Sequence, residues 1–194
     1  ESGAFFKSDD SLEVPDLQLV WVAGIVDNHA RKQHWGHGYS CHLTLLRPKS
    51  KGTVRLASNT IHDAPIINPQ FFNEKQDMDI MLKGAQIMQN ILQDKPFAGE
   101  IKKWLYPIEK DNIKQLEEDI RNRADTQYHP VGTCKMGLKN DEMAVVDNRL
   151  KVHGLNNIRI ADASIMPTLV GGNTNAPTIM IGEKAAEMIV ADSQ

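Results

Sequence analysis

The chain has 194 residues, 41% of them hydrophobic and 24% charged, with a formal net charge of -3. This is the make-up of a globular protein with room for one ordinary domain or parts of two. No run of Lys or Arg exceeds two residues, and the longest apolar stretch, "LVWVAGIV" (19–26), falls far short of the ~20 residues that span a bilayer, so a nucleic-acid partner and a membrane-crossing helix are both excluded.

The two cysteines, Cys41 and Cys134, make no disulfide framework. Reduced thiols point to a cytoplasmic protein, at most peripheral to the inner membrane. The chain opens on Glu1, without a methionine or a signal-peptide pattern. The expectation is therefore part of a longer polypeptide, with any targeting segment lying upstream.

In chain order, "DLQLVWVAGIV" (16–26) comes first, with Leu17, Leu19, Trp21 and Ala23 alternating onto one face. That period-two pattern predicts a half-buried strand. "CHLTLLRP" (41–48) and "TVRLAS" (53–58) read the same way, and the turn-forming "KSKG" between them predicts adjacent antiparallel strands. From Asn73 to Asp94 the spacing becomes helical, through Met78, Met81, Leu82, Ala85, Met88, Ile91 and Leu92. Asn73 is the expected cap, Gln76 occupies the capping-box position and Pro96 stops the helix. A second helix is expected over roughly 111–124, carrying Ile113, Leu116 and Ile120 on one stripe. Beyond residue 125, "RLKV" and "NIRIA" give two short strand signals around the turn "HGLNN". A last helix should begin near Pro177, buried at its start through Ile179, Met180 and Ile181, with Gly182 admitting a neighbouring backbone.

Two stretches carry chemistry. In "TQYHPVGTCKMG" (126–137), Pro130 restricts His129 to extended backbone, so the imidazole is held in place. Histidine is the usual side chain for moving a proton near neutral pH. In "GGNTNAPT" (171–178), two glycines allow close backbone approach, and Asn173 and Asn175 stand before a helix whose free N–H groups favour a negatively polarised group. The plain alternatives are a hydrogen-bonded structural histidine and an Asn-capped helix after a glycine loop.

"YHPVGTCKMG", "AVVDNRLKVHGLNNIRIADASIMP" and "GGNTNAPTIMIGEKAAEMI" together resemble the C-terminal signature of the glucose–methanol–choline (GMC) flavin oxidoreductases, almost continuously from Tyr128 to Ile189. "GAFFKSDD…PDLQLVWVAGIV" and "HWGHGYSCHLTLLRPKSKGTVRLAS" resemble the substrate-domain sheet of that family, in its choline-dehydrogenase and aliphatic-alcohol branch. The resemblance implies an α+β fold, in which an antiparallel sheet with flanking helices (1–125) forms part of a substrate-binding domain. Residues 126–194 would then complete an FAD-binding domain. It makes His129 the group that faces the flavin and takes the alcohol proton. It makes Asn173, six residues after Pro167, the second catalytic residue, on the asparagine branch of the family. Asn175, Ala176 and Pro177 are implied at the flavin's pyrimidine edge, and Asp162 and Ala163 along the ribityl–pyrophosphate chain. For Asp162, an ordinary turn residue is the competing reading.

The implied reaction is oxidation of a primary alcohol to an aldehyde by hydride transfer to flavin N5, with an external electron acceptor. Choline is the alternative substrate, because Trp35, Tyr39 and Trp104 cannot be gathered into a cation site from sequence. The strand–GxGxxG–helix unit that holds FAD in this family does not occur in these residues. The N-terminal FAD-binding portion of the same polypeptide is therefore the expected partner, and these residues alone should be inactive. A zinc module is a remote rival: His29, His34, His37, Cys41 and His42 crowd one stretch, but their spacing fits no standard finger and no metal ligand is assigned. A non-catalytic interaction module using the edge of the 16–58 sheet is the other.

Overall fold

The first strands follow the alternation of the sequence, and the helices follow its later change of period. The structure is a computed structural model that describes residues 2–95 and 97–193. The chain separates into two compact units, one formed by Glu1–Lys51 with Gln70–Asp125, the other by Gly52–Pro69 with Thr126–Gln194.

In the first unit, β1 (Ser2–Phe6), β2 (Leu17–Val22) and β3 (Ser40–Leu45) form an antiparallel sheet in that order. β2 is central, with Leu19 opposite Ala4 on one side and Leu43 on the other. Leu17 and Leu19 are fully buried, as their alternation requires, whereas Trp21 is half-buried and Ala23 lies exposed beyond the strand. Helix α1 (Lys75–Gln93), the short α2 (Phe97–Glu100) and α3 (Ile113–Arg123) follow. Leu17, Met78, Met81, Ala85, Leu116 and Ile120 make the shared core of sheet and helices. Each large apolar side chain buried there contributes about 1.5–3 kcal/mol. Burial also pushes the Cys41 thiol up to about 12 and His42 below its usual range, the latter helped by the charge on Arg123.

The start of α1 departs from the capping expectation. Its cap residue is Glu74, whose side chain caps nothing; the Glu74 N–H is bound instead by Ser50 Oγ at 3.0 Å. Asp77, buried in the first turn where the helix dipole favours a carboxylate, accepts the N–H groups of Lys49 at 2.9 Å and Ser50 at 2.7 Å. That grip on "KSKG" has a consequence for the strands. Held against the helix, the segment makes no hairpin, and β4 (Thr53–Arg55) does not pair with β3. It pairs with β5 (Ile66–Asn68), a strand the sequence did not reveal, in a separate antiparallel ribbon. At the foot of that ribbon a Cβ on Gly52 would lie 2.3 Å from the Asn68 carbonyl oxygen, so only glycine admits the approach of the two backbones. Pro96, expected to stop α1, lies outside the described residues.

The second unit also holds the segment 52–69, which alternation alone had grouped with the first sheet. Its core is Val146, Leu150, Ile165, Met166, Ile181 and Ala185. The two strands expected at "RLKV" and "NIRIA" shrink to isolated bridges, Val146 to Val152 and Lys151 to Arg159. Left-handed backbone at Leu150, Gly154 and Asn157 turns the chain too often for a ladder to extend. The last helix, α4 (Asn175–Asp192), buries Ile181 and Ala185 but leaves Ile179 and Met180 exposed. At 100° per residue only one of three successive apolar residues can face the core. A side chain at Gly182 would touch nothing among the described residues, so no backbone approaches there. No helix among the described residues is long and apolar enough to cross a membrane.

Candidate active site

His129 is presented by a loop that is tied at both ends. Before it, Tyr128 adopts left-handed backbone (φ 65°) and donates its N–H to Thr126 Oγ1 at 2.9 Å. After it, Pro130 fixes the exit, and Gly132 (φ 84°) turns the chain where other residues would be strained. The Cys134 N–H then bonds to the Ser164 carbonyl at 3.0 Å and the Met136 N–H to the Ile165 carbonyl at 2.8 Å. The histidine loop is thereby stitched to the 3-10 turn Ala163–Ile165, whose continuation leads to "GGNTNAPT".

This stitching brings the two ends of the motif together. Asn173 Nδ2 lies 2.9 Å from His129 Nε2, and Thr174 Oγ1 lies 3.0 Å from His129 Nδ1. Asn173 is exposed and His129 half-buried, so the pair is open to a ligand, whereas Thr174 is buried. An amide nitrogen only donates, so the Nε2 that faces Asn173 is an accepting nitrogen. A bare imidazole nitrogen beside an amide donor can take a proton from a hydroxyl while the amide holds the oxygen.

The remaining sequence candidates fall in different places. Asn175 and Ala176 open α4 on the exposed surface, with half-buried Pro177 next. Neither asparagine caps the helix. The cap position belongs to Thr174, whose side chain makes no capping bond because its backbone is helical (φ -91°, ψ -6°) where a capping residue is extended. The N–H groups opening the helix therefore remain for another acceptor. Asp162 is exposed and its carboxylate accepts the Ser164 N–H at 2.7 Å, capping the 3-10 turn, while Ala163 packs against the core. Thr174 is the residue that sequence reasoning missed. The one available signal was a buried-helix cap position filled by a hydroxyl within two residues of a candidate catalytic side chain.

The far end of α4 is fixed as well. Asp192 stands in the last turn, where the helix dipole disfavours an acid. It is offset by Lys151 at 2.6 Å, Arg149 at 2.5 Å and Arg159, and the Lys151 and Arg149 contacts hold its carboxyl down to about 2. Two of the histidines of 29–42 go to separate partners: His29 pairs with Asp125, and His34 Nε2 lies 2.6 Å from Asp27. A hollow of about 370 Å³ lined by Gly24, Ile25, His34, His37 and Tyr39 contains none of the residues expected to catalyse or to hold the flavin. Convergent chemistry, not concavity, marks the site.

Comparison with known proteins places the chain in a family. The family model described as GMC oxidoreductase matches residues 48–182. An alcohol dehydrogenase [acceptor] of Pseudomonas putida is 45% identical over 193 residues, which are 98% of this chain and 34% of the relative. An oxygen-dependent choline dehydrogenase of Escherichia coli K12 is 37% identical, over 97% of the chain and 34% of the relative. Among solved structures, pyridoxine 4-oxidase from Mesorbium loti superposes with a TM-score of 0.84 at 29% identity, covering 95% of this chain and 36% of that one. A formate oxidase variant from Aspergillus oryzae superposes with a TM-score of 0.85 at 29% identity, covering 93% and 32%. The chain thus spans about a third of the length of the curated relatives it matches. With more than half of its residues inside the family model, the chain belongs to the GMC oxidoreductase family, a family of FAD-binding enzymes.

Proposed function

We propose that this chain supplies the proton-handling wall of an FAD-dependent enzyme that oxidises a primary alcohol to an aldehyde and passes the electrons to an external acceptor. The observation that supports this reading most directly is the 2.9 Å approach of Asn173 Nδ2 to His129 Nε2 across 44 residues of sequence. The donor set fits a flavin. Uncapped N–H groups at the start of α4 and the exposed Asn175 amide would hold its acceptor-rich pyrimidine edge, with Ala176 and Pro177 beside them. The backbone of Asp162 and Ala163 would line the ribityl–pyrophosphate chain. When bound, the flavin supplies the two-electron acceptor for the hydride of the alcohol carbon.

His129 Nε2 accepts the hydroxyl proton of the alcohol. On substrate binding the Asn173 Nδ2–H turns from Nε2 to the alcohol oxygen, which leaves the single Nε2 lone pair for the proton and holds the oxygen while its negative charge develops. The loop bonds of Cys134 and Met136 keep the imidazole in position, so little order has to be created when substrate binds. The higher identity to the alcohol dehydrogenase [acceptor] favours a primary aliphatic alcohol, and choline is the second reading, supported by choline dehydrogenases at up to 38% identity.

The test uses the native polypeptide loaded with FAD. His129→Ala is expected to slow flavin reduction at least about a hundredfold, the usual contribution of a positioned base. Unchanged reduction would remove His129 from the reaction. Comparing kcat/KM for primary alkanols and choline then separates the two substrate readings.

A further inference from the structure

We infer that Thr174 is a positioning residue that sets the tautomer of His129, and that it gives up its capping role in α4 to do so. The inference rests on the reading that His129 Nε2 is the proton acceptor. Three observations converge on the Thr174 hydroxyl. It stands at the cap position of an 18-residue helix yet makes no capping bond. It lies 3.0 Å from His129 Nδ1 and belongs to a buried residue, 7% exposed, so the contact is shielded from competing water. The Thr174 carbonyl accepts both the Thr178 N–H at 3.0 Å and Thr178 Oγ1 at 2.6 Å, which fastens the residue to the first turn of α4.

The tautomer follows from donor and acceptor counting. Asn173 Nδ2 donates to Nε2, so in the neutral ring Nε2 carries the lone pair and Nδ1 carries the proton. The Nδ1–H group donates to Thr174 Oγ1. Remove that oxygen and the two tautomers come closer in energy, the ring is free to turn, and the fraction presenting a bare Nε2 falls. A tautomer held by the bond on the opposite nitrogen is a general property of working histidines. Here the holding group is a hydroxyl mounted on a helix start, so the position of α4 and the protonation pattern of His129 are one mechanical unit.

The experiment compares Thr174→Val, which keeps the shape and removes the hydroxyl, with Thr174→Ser, which restores it, in the native polypeptide loaded with FAD. Thr174→Val is expected to lower kcat about tenfold, the worth of one well-made hydrogen bond, with KM little changed. Thr174→Ser should return most of the rate. Independently of turnover, 15N spectra of histidine-labelled protein, with the His129 signals assigned by their loss in His129→Ala, should show Nδ1 protonated and Nε2 bare in the parent and Thr174→Ser, and a mixture in Thr174→Val. If Thr174→Val keeps the parent rate and the parent ring spectrum while His129→Ala abolishes flavin reduction, the role of Thr174 is overturned and that of His129 stands. If His129→Ala itself reduces flavin normally, the underlying reading fails first.

Discussion

Asp27 gathers a stretch of backbone that would otherwise be hard to hold. Asn28, His29 and Ala30 are left-handed in succession (φ 46°, 54°, 60°), a conformation costing roughly 1–2 kcal/mol per residue outside glycine. The buried Asp27 carboxylate accepts the Tyr106 hydroxyl at 2.7 Å and faces His34 Nε2 at 2.6 Å, with Lys32 Nζ at 3.5 Å. The Tyr106 and His34 hydrogen bonds hold its carboxyl down to about 2. A carboxyl whose folded value is depressed stabilises the fold above its unfolded value, near 3.8, and that contribution is lost as pH falls through about 2. Asp27→Asn should therefore cost about 1–3 kcal/mol at pH 7 and flatten the fall in melting temperature between roughly pH 4 and pH 2. Thermal melts at several pH values check this; an unchanged acid limb would show that other carboxylates carry it. At the candidate site, the legible residues were those whose type and spacing are unusual: histidine against proline, and asparagine after paired glycines. Thr174 was illegible because a hydroxyl residue before a helix ordinarily caps it, and only coordinates reveal that the backbone there has already turned helical.

At the scale of elements, the helical periodicities were strong enough to place α1 and α3 within two residues of their expected ends, because apolar spacing and core contact are the same physical fact. Strand partners were not legible. "KSKG" has the composition of a hairpin turn, but the carboxylate that captures its N–H groups, Asp77, lies well downstream in sequence. Gly84 is a further case of tertiary context overruling local preference. Alanine in its place would gain about 1 kcal/mol of helix propensity. Yet its Cβ would stand 2.8 Å from Leu17 Cδ1 and 3.0 Å from Leu43 Cδ2, and Leu17 is fully buried with nowhere to move. Overpacking of this kind costs about 1–3 kcal/mol. Gly84→Ala is accordingly expected to destabilise the protein by about 1 kcal/mol in urea titrations, and a stabilised variant would show that the two leucines swing aside.

For the molecule as a whole, the flavin-binding expectation has two halves of unequal weight. The chain carries an uncapped helix start and amide side chains suited to the ring, but no GxGxxG unit for the pyrophosphate. FAD mixed with these 194 residues alone is expected to separate from them on a desalting column. A yellow protein fraction would show that the ring contacts suffice. Leu138, Met143, Ile179, Met180, Ile189 and Val190 are each exposed on the second unit.

The route of the backbone has a practical consequence. It enters the second unit at Gly52, leaves after Pro69 and re-enters at Thr126. No single truncation can isolate either unit, and a boundary drawn at 125/126 would strand the β4–β5 ribbon on the wrong piece. Chimeras between relatives should therefore exchange 52–69 together with 126–194, as a pair of grafts made in one step.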